Sequence, residues 1–131
     1  MRISIRVLRL PLLLAALAVG LAGCQDFVDL TSLSAALTRE FGGARMEVHL
    51  NNRTHLAIVV EDSPLGRQEG SKRQATARKL AEFVRDHYAK YGVLEDVSVV
   101  FATSDASLAT SYREEATYTF TPAELGPGPR R

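Results

Sequence analysis

Two short stretches of this chain alternate in a way that leaves extended backbone little alternative. Met46, Val48 and Leu50 are separated by Glu47 and His49, and Leu56, Ile58 and Val60 by Ala57 and Val59. A side-chain period of two belongs to a strand, whose successive residues face opposite sides of a sheet. Both even-numbered apolar sets must reach the same core, so opposed residues have numbers of equal parity and a two-residue connection is excluded. A three-residue loop of Asn51, Asn52 and Arg53 satisfies this rule. It opposes Val48 to Leu56 and Met46 to Ile58, and on the other face His49 to His55. A five-residue loop keeps the parity and separates the histidines.

Helical periods flank this hairpin. Leu30, Leu33, Leu37 and Phe41 recur every three or four residues, with Asp29 or Thr31 available as N-cap and Gly42-Gly43 as stop. Asp62 to Gln68, with Ser63-Pro64 and Gly66, reads as a loop ending the second strand. Ala77, Leu80, Ala81, Val84, Tyr88 and Tyr91 then share one side of a helical wheel, which predicts a main helix ending before Gly92 and an Asp86–Lys90 ion pair. Strands are predicted near Val97 to Thr103 and Tyr112 to Thr121. The resulting order, helix-hairpin-helix-hairpin (αββαββ), predicts an α+β two-layer sandwich with a mainly antiparallel four-stranded sheet. Ser104 to Ser111 is predicted to be a mobile loop. The domain is expected to span residues 30–124 and to end in a disordered tail, 125–131, rich in Gly and Pro.

The first 23 residues are of another kind. Of the sixteen basic side chains in 131 residues, Arg2, Arg6 and Arg9 stand here, with no acidic residue among them. They precede an uncharged apolar run from Leu10 to Gly23, the two parts of a secretory signal. The run is short for a bilayer span, which needs ~20 apolar residues. Without residues 1–23, thirteen basic side chains face fifteen acidic ones. A mature domain of that charge has no basic stripe with which to displace counterions from phosphates, so no nucleic-acid partner is expected. Cys24, the only cysteine, has no disulfide partner in the chain.

Leu21-Ala22-Gly23-Cys24 closes the apolar run and resembles the lipobox of bacterial lipoproteins at all four positions. The resemblance implies a precursor in which residues 1–23 are a signal peptide and Cys24 is the lipidation site. There the thiol receives a diacylglycerol before cleavage, and further acylation such as palmitate follows. Two or more acyl chains hold a protein stably where one does not. In Gram-negative lipoproteins Asp after the cysteine favours inner-membrane retention, and Gln25 is not Asp. The resemblance therefore implies the outer membrane, facing the periplasm. Residues 24–29 comprise the lipidated cysteine and a short tether, Gln25 to Asp29, of at most ~17 Å, which keeps the domain near the membrane surface.

Signals for chemistry are sparse. Gly66 and Gly70-Ser71-Lys72 miss the GxxxxGK[ST] pattern, and no GxSxG, HExxH or CxxC occurs. His49 and His55, near Glu47, are the metal-ligand candidates, since opposed imidazoles could share zinc; against this, structural zinc sites ordinarily show four ligands. His87 reads as a helix-edge residue and Glu114-Glu115 as neighbours pointing to opposite faces. Tyr88, Tyr91, Tyr112 and Tyr118 read as core rather than a ligand groove. No catalytic residue and no cofactor is assigned. The expected function is a non-enzymatic interaction or assembly module with an envelope protein partner. The alternative is a small-ligand or metal-binding periplasmic protein that uses the His49/His55 face.

Overall fold

The computed structural model describes residues 28–104 and 112–130. The predicted lipobox, the predicted signal before it and the predicted loop Ser104 to Ser111, apart from Ser104 itself, lie outside the described residues. The described chain is a mixed α/β fold with a four-stranded open sheet and three helices.

Helix α1 covers 28–40 and buries Leu33 and Leu37, two of the four residues of the predicted apolar stripe, while Leu30 and, just beyond the helix, Phe41 are partly buried. Gly42 and Gly43 then take left-handed φ of 74° and 81°, and the Gly43 N–H reaches back to the Thr38 carbonyl at 2.7 Å. That closure satisfies a terminal carbonyl of the helix and needs residues without a Cβ penalty. Strands β1 (Arg45–Asn51) and β2 (His55–Glu61) form the expected antiparallel hairpin. Its loop has three residues, Asn52, Arg53 and Thr54, one position later than predicted. Asn52 and Arg53 both adopt positive φ, 51° and 63°, and the Thr54 N–H donates to the Asn51 carbonyl. Leu50 consequently opposes Leu56 and Val48 opposes Ile58, which preserves the parity but not the predicted pairing of histidines.

A 3-10 turn, Pro64–Arg67, leads into helix α2 (Gly70–His87), followed by β3 (Asp96–Ser104), β4 (Tyr112–Phe120) and the short helix α3 (Pro122–Leu125). The strands lie in the order β1-β2-β3-β4, with antiparallel outer pairs and a parallel β2–β3 pair at the centre. The parallel pair follows from the length of α2. Its 18 residues rise ~27 Å, enough to carry the chain back along a seven-residue strand of ~23 Å. One buried cluster joins α1, α2 and a single sheet face, with Leu37, Leu56, Ile58, Leu80, Val84, Val97, Val99 and Phe101 at its centre. On the other face His49, Thr117 and Thr119 are exposed, whereas Val59, between Glu47 and Val100, is 2% exposed.

Two local expectations are corrected. Helix α2 ends at His87; Tyr88 is extended and Tyr91 lies in a 3-10 turn, Tyr91–Val93, although both rings are buried. Lys90 therefore falls beyond the helix, and Asp86 pairs with Arg85 at 2.8 Å. The C-terminal stretch expected to be disordered is docked through Gly128. Leu125 is in the core, the Tyr91 hydroxyl donates to the Gly126 carbonyl at 2.9 Å, and the Arg85 guanidinium donates to the Leu125 carbonyl. Gly128 sits so close that a Cβ there would meet Tyr91 at 3.2 Å and the Arg85 carbonyl at 3.3 Å. Gly and Pro deprive this segment of regular structure, but its carbonyls still find donors on α2 and the turn after it.

Candidate functional site

The two central strands begin and end in polar clusters. At their start, Thr54 and Glu95 bring the hairpin loop against the entry to β3, the Glu95 N–H donating to the Thr54 carbonyl at 2.7 Å. His55 lies between two carboxylates there. Its Nδ1 is 2.8 Å from Asp96 Oδ2 and its Nε2 is 3.1 Å from Glu95 Oε2. His49 shares the same sheet face but opposes Ala57, two positions from His55, and its Nε2 approaches Glu47 at 3.4 Å. The two imidazoles thus belong to separate carboxylates. The acids around His55 sit on opposite ring nitrogens, so their oxygens do not converge with a nitrogen on one point. Among the described residues no group of three or more His, Cys, Asp or Glu is placed to hold a metal ion.

The other predicted residues are dispersed. His87 is exposed, stacked on Phe83 at 3.9 Å between ring centroids. Tyr88 and Tyr91 are buried beyond the end of α2, and burial pushes both phenols above their ordinary pKa. Tyr118 packs edge-on against Phe101 near the middle of the sheet.

At the carboxyl ends of β2 and β3 the chain builds a concave site that sequence reasoning missed. Asp62 leaves β2 with a left-handed φ of 47°. Its N–H donates to the Ala102 carbonyl at 3.0 Å, and its carboxylate accepts from the Ser104 N–H at 2.8 Å and from the Ser104 hydroxyl. These bonds, the hydroxyl first, hold Asp62 below the usual carboxylate range. Ser63, 7% exposed, accepts the Leu65 N–H through its hydroxyl and so opens the 3-10 turn. Gly66 in that turn rests against Phe101, at 3.4 Å from where a Cβ would stand. Arg73, from the first turns of α2, donates its Nε–H to the Tyr118 hydroxyl at 3.1 Å and one Nη–H to the Gly66 carbonyl at 3.2 Å.

The far wall is supplied by β4. Phe101 opposes Ala116 while Ala102 opposes Glu114, so Glu115 is an extra residue, a β-bulge. A bulge turns a side chain away from the alternation of its strand. Here Glu115 accepts the Thr103 hydroxyl at 3.2 Å and lines a cavity of about 220 Å³ together with Asp62, Ser63, Arg67, Arg73 and Phe101. A crevice outside the carboxyl ends of parallel strands is where open α/β sheets bind ligands. Reading β2 and β3 as a parallel pair would have pointed to it. The sequence as two hairpins did not, and neighbouring glutamates in a regular strand would have been sent to opposite faces.

No family model, curated protein or solved structure matches this chain.

Proposed function

We propose that this chain is the precursor of a bacterial envelope lipoprotein. Residues 1–23 direct export and are removed, and Cys24 carries the lipid that holds the domain to a membrane. The outer membrane, on its periplasmic side, is the proposed location. The observation that carries this reading is Leu21-Ala22-Gly23-Cys24 at the end of an uncharged apolar run, with the described fold resuming by Val28. No helix among the described residues is long and apolar enough to cross a membrane. The αββαββ order as a two-layer sandwich is likewise our reading, supported by the single cluster that joins both long helices to one sheet face.

The domain acts as a non-enzymatic binding module with an envelope protein partner, and its attachment point suggests an orientation. Leu30 at the start of α1 borders Val48 and His49, toward the hairpin loop, and Asp29 influences Tyr88 at the end of α2. Four residue steps separate Cys24 from Val28, at most ~14 Å. That end of the domain then lies at the membrane, and the crevice at the opposite end of β2 and β3 faces away from it. Val28 and Val93, the large apolar residues most exposed among those described (54% and 61%), both belong to the attached end. A small-ligand role is a second reading, favoured by the crevice rather than by the His49/His55 face.

Intact mass and N-terminal peptide analysis of the membrane-extracted protein tests the anchor. The expected product begins at a lipid-modified Cys24, and Cys24→Ala is expected to retain residues 1–23 without the lipid mass. An unmodified Cys24, or residues 1–23 still attached in the wild type, overturns the proposal.

A further inference from the structure

We propose that the crevice at the ends of β2 and β3 binds a small zwitterion of amino-acid size, carboxylate on Arg73 and Ser63, ammonium on Glu115. Three observations converge on it. Arg73 uses two of the five N–H donors of a guanidinium in bracing Tyr118 and Gly66, which leaves three for a ligand in the same cavity. Ser63 is almost fully buried beside it, and its hydroxyl accepts from Leu65, leaving the O–H proton to donate. The bulge in β4 turns Glu115 into the cavity, where Thr103 steadies one of its oxygens.

The charge balance selects the ligand class. Among the described residues, Arg67 and Arg73 line the cavity together with Asp62 and Glu115, two cations and two anions. A phosphate or other compact dianion would have two carboxylates in the lining of its own site, which offset the attraction of the two guanidinium groups. A molecule with one charge of each sign matches both walls, and charge-assisted hydrogen bonds are the stronger kind. Size narrows the class further. About 220 Å³ is below the ~300–1,000 Å³ of pockets that take drug-sized ligands. Phe101 is almost wholly covered by the protein and offers little apolar surface to a long side chain. A free amino acid with a small side chain fits these limits.

The test is calorimetric titration of the detergent-solubilised full-length protein with L-alanine, and separately with acetate, methylammonium and inorganic phosphate. L-alanine is expected to saturate with Kd on the order of 1 mM, as suits a ligand of few atoms, and to bind about 10-fold or more tighter than either half. Glu115→Gln keeps the size of the residue at an exposed strand position. It is expected to weaken L-alanine to the level of acetate without weakening acetate itself, with an unaltered circular dichroism spectrum. Absence of saturable L-alanine binding, acetate or phosphate binding as tightly as L-alanine, or an unaffected Glu115→Gln variant each overturns the inference. These outcomes are independent of the mass of Cys24, so the anchor and the ligand stand or fall separately.

Discussion

Asp62 condenses much of what one residue contributes here. It holds a left-handed conformation that non-glycine residues seldom adopt, though Asp tolerates it better than most. Its carboxylate ties the exit of β2 to the end of β3 through Ser104. Because the hydroxyl and backbone N–H of Ser104 lower its folded pKa, the charged form stabilises the fold above the ordinary carboxylate range. That contribution is lost as pH falls through the lowered folded value. Denaturant unfolding of wild type and Asp62→Asn is expected to show the wild type more stable at pH 7, the gap closing as pH drops below about 4. A gap independent of pH would sink this assignment. Little of this was legible beforehand: Ser63-Pro64 announces that the strand stops, but the conformation of Asp62 depends on Ala102 and Ser104, some forty positions away. The histidines show the same division. Parity placed His49 and His55 on one face, while the register that separates them was fixed by positive φ at Asn52 and Arg53, and Arg has no intrinsic preference that would announce it.

Among elements, α2 was the most readable and its end the least. The apolar period from Ala77 to Val84 marks the buried stripe, and Tyr88 and Tyr91 continue that period after the backbone has left the helix. Periodicity records which side chains face the core, not which backbone delivers them there. The bulge in β4 was hidden for a related reason, since Ala116, Tyr118 and Phe120 keep their alternation on one side of it. The C-terminal segment was misread because composition says nothing of docking partners. Tyr91→Phe removes the donor to Gly126 and leaves the ring in place. It is expected to lower the unfolding free energy by about 1 kcal/mol and to speed amide exchange at Gly126. Unchanged exchange there would show that the hydroxyl does not hold the segment.

For the whole molecule, the class of fold and number of strands were legible, but the direction of the central pairing was not, because local alternation is the same for parallel and antiparallel neighbours. That central pairing also dictates an order of assembly. Asn51 and His55 meet across a three-residue loop, whereas His55 and Asp96 must close 41 positions. Loop-closure entropy rises with that separation, so the β1–β2 ladder is expected to gain amide protection before β2–β3 in pulse-labelling exchange during refolding. Simultaneous protection of both ladders would refute the order. In a chain exported by an N-terminal signal, as proposed, β2 emerges well before β3. During that interval Leu56, Ile58 and Val60 lack the cover that α2 and β3 give them, and an isolated hairpin is marginally stable at best. The emerging chain is then at its most aggregation-prone after residue 61 and before residue 96, an interval in which a holding chaperone would matter more than at any later stage.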